Sequence, residues 1–143
     1  MAEVLFKNWL KQHDVPGEWE VLSAGTWVRD GFTLSPAILA ALDGLGIDLS
    51  GRSCWSITAE ALEKADLALC MTHFHREALQ VEFPCHAGRI RMLSEMLGQR
   101  FDVRDVDLLS GEECLRVARE LASLIDAAAP HIVEALQGRI DGH

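Results

Sequence analysis

The sequence predicts an α/β fold, a single domain with a parallel sheet flanked by helices. Amphipathic helical stretches alternate with short apolar runs, the order that builds strand–helix units. The connections between them carry Gly, Pro or a capping Ser or Thr, which punctuates each element. A chain of 143 residues, 49% hydrophobic and 24% charged, has the size and composition of one globular domain with a real core. A parallel sheet needs cover on both faces, and the helices suffice for that. No repeat, low-complexity segment or linker interrupts the pattern. Residues 1–137 are read as the domain and 138–143 as a polar tail.

The first helix opens at Met1, with Val4, Leu5, Phe6, Trp9 and Leu10 on one broad face. No capping residue stands before it, so its first amides lack partners. Pro16-Gly17 marks a turn. Trp19 to Ala24 reads as a strand stopped by Gly25. Ser35 caps a second helix with Pro36 at its first position; Ile38, Leu39 and Leu42 follow, and Gly44 terminates it. Thr58 caps a short helix carrying Leu62 that ends near Asp66. Leu67 to Cys70 is a compact apolar run, read as a buried strand. His73 to Val81 forms the next helix, stopped before Phe83-Pro84, and Arg89 to Leu93 is a further strand. Ser110 and Glu113 make a capping box for the last helix. Leu115, Ala118, Leu121, Ala122, Ile125, Ile132, Val133 and Leu136 keep helical spacing there, and Pro130 is expected to kink it or end its first part.

The chain carries 13 basic and 22 acidic residues, a net charge of -9. A general affinity for nucleic acid or for anionic membrane is thereby disfavoured. Net charge does not report local potential, so a basic pocket for a phosphate stays compatible with it. No basic region followed by an apolar run opens the sequence, and no apolar stretch reaches bilayer length. Cys54, Cys70, Cys85 and Cys114 show no paired spacing and are read as reduced thiols. The expected location is cytoplasmic.

Several segments, taken in order, carry a resemblance. They are Met1-Ala2-Glu3-Val4-Leu5-Phe6, Ser23-Ala24-Gly25-Thr26-Trp27, Ser35-Pro36 and Gly46-Ile47-Asp48-Leu49-Ser50-Gly51. Ala65-Asp66-Leu67-Ala68-Leu69 leads to Met71-Thr72 and His75-Arg76-Glu77-Ala78-Leu79, and Asp102-Val103-Arg104-Asp105 precedes the last helix. Single pieces are weak, but the ordered set resembles the low-molecular-weight protein phosphatases, which include tyrosine and arginine phosphatases. The resemblance implies a phosphotyrosine protein phosphatase I-like sheet, a phosphorylated protein or small phosphomonoester as substrate, and no cofactor.

That family opens with a central strand and a Cys-x5-Arg-Ser/Thr-Pro loop before Met-Ala-Glu. Met1 falls just after the position of that Pro, so the expectation is a domain missing its first central strand and its nucleophile. A thiolate must attack phosphorus, and its pKa must be lowered by a helix N-terminus and positive charge. Loop amides and the arginine must hold the phosphoryl oxygens. Two stretches fit Cys-x5-Arg formally: Cys70 to Arg76 and Cys85 to Arg91. The first is bulky where a phosphate nest favours small residues, and the second precedes a strand, so neither is expected to work. These 143 residues are therefore expected to be inactive, with the coding sequence extending upstream. The alternative is a natural pseudophosphatase or interaction module that repairs its unpaired sheet edges by homo-oligomerisation.

Within these residues the resemblance implies Asp105 as general acid, with Asp107 as its rival. Val106 stands where the family usually has Pro, leaving that loop less rigid. Trp27 falls at the rim that shapes the substrate pocket, where an aromatic ring can stack on a phosphorylated side chain. Cys70, His73, His75, Cys85 and His86 are metal-ligand types, but their spacing fits no metal motif, and no metal is expected. Substrate choice between phosphotyrosine and phosphoarginine is not legible. An arsenate-reductase relative is the weaker option, because no cysteine pair is set for that relay.

Overall fold

The structure, a computed structural model, describes residues 1–25, 36–49, 55–104 and 111–140. They gather into two compact units. One holds the described residues up to Trp55 together with the last helix as far as Asp126, and the other holds Ser56–Arg104 and the helix from Ala127 onward.

In the first unit, helix α1 (Ala2–Gln12) buries Val4, Phe6, Trp9 and Leu10, the face expected from their spacing. Met1 is its N-cap and makes no side-chain cap. The helix ends where Asp14 turns left-handed (φ 46°) and the Val15 N–H reaches the Leu10 carbonyl at 3.2 Å. His13 stacks on Trp9 at 4.2 Å, and Trp19 meets Phe6 edge-on at 6.2 Å. Helix α2 (Pro36–Asp43) supplies Leu42 to a core with Val4, Ile47, Cys114 and Ala118. Its terminator is Gly46 rather than the expected Gly44. The Gly44 N–H still makes the helical bond to Ala40, and Gly46 takes the left-handed φ of 77° that brings the Ile47 N–H to the Leu42 carbonyl.

The expected strand at Trp19–Ala24 does not form. The segment is irregular, Leu22 is 62% exposed, and the ladder is reduced to one bond from the Gly25 N–H to the Trp55 carbonyl at 2.9 Å. A strand needs a neighbour to take its amides, and among the described residues only Trp55 does so. Trp19 packs on α1 instead.

In the second unit, Thr58 caps helix α3 (Ala59–Lys64) through its Oγ1, which accepts from the Ala61 N–H at 3.2 Å. Strand β1 (Ala68–Cys70) runs parallel to β2 (Ile90–Met92), in the register Ala68–Ile90, Leu69–Arg91 and Cys70–Met92. Helix α4 (His73–Glu82) joins them and is followed by a 3-10 turn, Pro84–Arg89. Leu62, Cys70, Leu79 and Ile90 form the core, with Ile57, Ala68 and Phe83 packed against it. A second 3-10 turn, Leu93–Leu97, follows β2 directly. This is the predicted α/β layering, a small parallel sheet with helical cover.

Helix α5 (Gly111–Ile140) passes through Pro130 without ending there. Ala128, Ala129 and Ile132 are buried on either side of the proline, so packing holds the helix across the missing N–H. It also runs beyond residue 137, into the segment read as tail. Ser35, Cys54, Ser110 and residues 141–143 lie outside the described residues, and with them both expected caps that used those serines.

Candidate active site

Trp27, Asp105 and Asp107 lie outside the described residues. The approach to Asp105 is described as far as Arg104, and it is anchored. The Asp102 carboxylate accepts the backbone N–H of His73, the first residue of α4, at 2.8 Å, and lies 3.1 Å from the His73 ring Nδ1. One residue on, the Val103 N–H donates to the Met71 carbonyl at 2.8 Å. The backbone N–H of His73, then its ring, hold the Asp102 carboxyl below the ordinary carboxylate range. The carboxylate satisfies one of the amides a helix start leaves open. The chain is therefore pinned to the β1–α4 turn three residues before the candidate acid.

The same turn contains the first formal Cys-x5-Arg. Cys70 ends β1 as a buried thiol, and burial pushes its pKa up to about 11, with Arg76 opposing and Glu95 adding. Amides that a phosphate would need are already taken at His73, His75 and Arg76. The His73 N–H goes to Asp102, and the His75 N–H goes to the Thr72 Oγ1 at 3.1 Å. Arg76 donates to Glu95 at 2.6 Å. In the second stretch, Cys85 is exposed within a 3-10 turn and Arg91 points outward from β2. A phosphate cradle is built on a strand that leads into a helix N-terminus, and Cys85 has the reverse order.

Of the metal-ligand types, His73 is engaged with Asp102, and no group of three or more His, Cys, Asp or Glu suited to a metal occurs among the described residues. Nor is any described helix long and apolar enough to cross a membrane.

Three polar arrangements escape sequence reasoning. One is the Asp102–His73 anchor. Another is Arg89, whose Nη1 reaches the carbonyls of Leu62, Glu63 and Ala65 at 2.9–3.3 Å and closes the C-terminus of α3. The third is Glu95, which accepts from Arg76 and, at 2.7 Å, from the Met92 N–H. Each joins residues 19 to 29 apart except the last bond, so no local pattern announces them.

The family model for low molecular weight phosphotyrosine protein phosphatase matches residues 1–139, and the chain belongs to that family. A probable low molecular weight protein-tyrosine-phosphatase, EpsP, of Ralstonia nicotianae is 29% identical over 135 residues, 92% of this chain and 86% of the relative. The protein-arginine-phosphatase of Bacillus subtilis is 32% identical over 106 residues, 73% of this chain and 69% of the relative. Among solved structures, a YwlE mutant from Bacillus subtilis superposes with a TM-score of 0.82 at 28% identity, covering 92% of this chain and 87% of the other. The low molecular weight protein tyrosine phosphatase of T. tengcongensis gives 0.79 at 32% identity, covering 94% and 88%. The sheet and helices are thus those of a low-molecular-weight phosphatase.

Proposed function

We propose that this protein acts on phosphorylated protein side chains, phosphotyrosine or phosphoarginine, through a phosphocysteine intermediate, with Asp105 as the acid and Trp27 at the pocket rim. A thiolate attacks phosphorus, and the P–O or P–N bond to the side chain breaks. The departing oxygen or nitrogen takes the proton from Asp105. Water then attacks the phosphocysteine, Asp105 takes a proton from it, phosphate leaves and the thiolate is restored. The anchored stem carries this reading: Asp102 and Val103 fix the chain beside the β1–α4 turn, and a pinned stem limits where a side chain three residues later can reach. Membership of a family with named tyrosine and arginine phosphatases supports the substrate class.

Among the described residues, no cysteine is set up as the nucleophile of this reaction. Cys70 is a buried, protonated thiol beside spent amides, and Cys85 has no helix N-terminus behind it. Purified chain 1–143 is expected not to turn over p-nitrophenyl phosphate. Turnover that disappears in Cys70→Ser or Cys85→Ser would overturn this assignment. A form carrying Cys-x5-Arg-Ser/Thr-Pro ahead of Met1 is expected to hydrolyse phosphotyrosine or phosphoarginine peptides. In that form Asp105→Asn should lower kcat by about a hundredfold and Asp107→Asn should not. The opposite ranking would move the acid to Asp107. Binding of phosphopeptides without turnover in the longer form would mark a pseudophosphatase.

A further inference from the structure

The second unit carries a cleft of ≈ 530 Å³ with three arginines in its walls, Arg76, Arg91 and Arg100. Glu95 is the one carboxylate among its lining residues. That carboxylate is oversubscribed. It accepts from Arg76 at 2.6 Å and from the Met92 N–H at 2.7 Å, and it lies 3.4 Å from the Arg100 Nε. Three guanidinium groups against one carboxylate leave two positive charges in surplus, in a chain whose net charge is -9. The Arg76 Nε is buried and meets no acceptor. Gathering like charges into one concavity is unfavourable unless an anion offsets them.

Guanidinium forks match planar or tetrahedral oxyanions, because their paired N–H groups bond two oxygens at once. A phosphoryl group carries a charge of about -1.5 to -2 at neutral pH, close to the surplus, whereas a carboxylate would offset only half of it. We propose that this cleft is an oxyanion site that takes a phosphoryl group, with Arg91 and Arg100 as its accessible grips. Arg100 is 76% exposed and Arg91 is exposed, so both can turn toward an incoming ion. Glu95 holds Arg76 in place at 2.6 Å. None of the lining residues belongs to the acid-loop stem, so the site stands whether or not Asp105 is the acid.

The test is a proton–nitrogen NMR titration of chain 1–143 at fixed ionic strength, with sodium phosphate in one arm and a short phosphoserine peptide in the other. Saturable shifts are expected at the amides of Gly88, Gly98 and Gln99 and at the Arg76 Nε–H. The double variant Arg91→Gln/Arg100→Gln, with its melting curve confirming the fold, should bind about tenfold more weakly, the scale of a lost charge-assisted contact. Tighter binding by the peptide assigns the site to a phosphorylated chain, and equal binding assigns it to free phosphate. Sodium chloride producing the same shifts, shifts confined to other residues, or a double variant that binds as the parent does would each overturn the proposal.

Discussion

Asp102 grips His73 by its backbone and by its ring, at 2.8 and 3.1 Å, across 29 residues of sequence. This contact ties the first turn of α4 to the chain leading to Asp105. Asp102→Asn removes the charge and keeps the shape. The amides of His73 and Val103 should then exchange faster with solvent, while β2 keeps its protection. The pH dependence has a definite sign. The Asp102 pKa is lowered in the folded state, so its stabilisation is complete above the ordinary carboxylate value of 3.8 and is lost as pH falls through the lower folded value. Parent and variant should therefore differ in denaturant midpoint at neutral pH and converge in strong acid.

The thiols should sort by burial. Burial pushes Cys70 up to about 11 and raises Cys114, whereas Cys85 is exposed. Iodoacetamide at pH 8, followed by peptide mapping, should label Cys85 in the native protein and reach Cys70 and Cys114 only on unfolding. Native labelling of Cys70 at a rate matching Cys85 would show a thiolate there and revive its Cys-x5-Arg as a candidate loop.

Arg89 should be a stability residue. Its Nη1 lies within hydrogen-bond reach of three carbonyls at the end of a six-residue helix too short to be stable alone. Arg89→Ala should cost about 1–2 kcal/mol in chemical denaturation, through unsatisfied carbonyls and the lost charge at the helix C-terminus. Arg89→Lys should recover part of this, since the ammonium keeps the charge at the helix C-terminus but loses the planar geometry that places Nη1.

What the sequence discloses and what it hides divide along physical lines. Capping and periodicity are local, so Thr58 announces α3, and the apolar run into Cys70 announces β1. The strand expected at Trp19–Ala24 fails for the complementary reason: residue type marks a willingness to pair, but pairing needs a neighbour elsewhere in the chain. Gly44 and Gly46 sit two apart, and only the finished turn shows which one takes the left-handed conformation. Helix α5 survives Pro130 because apolar neighbours are buried around it, a tertiary fact. For the site, ordered motifs led to the family, while Asp105, the proposed acid, lies outside the described residues. The Asp102–His73 anchor and the arginine cleft are long-range polar pairings, and one chain read alone carries no signal for them.

Glu95 offers the sharpest separation of stability from binding. It and Arg76 are 17% and 19% exposed, so removing the carboxylate leaves a guanidinium largely out of water without its partner. Glu95→Ala should destabilise by about 2–3 kcal/mol, and Glu95→Gln by less, because the amide oxygen still accepts from Arg76 or Met92. The same change removes the charge that offsets Arg76 and raises the cleft's surplus from two positive charges to three. A phosphate bound there should then stabilise the variant more than the parent, because a ligand at fixed concentration stabilises the folded state more the tighter it binds. Thermal melts with added phosphate, against chloride at equal ionic strength, should show a larger rise for Glu95→Gln. No rise over the chloride control in either protein would mean that the cleft holds no anion.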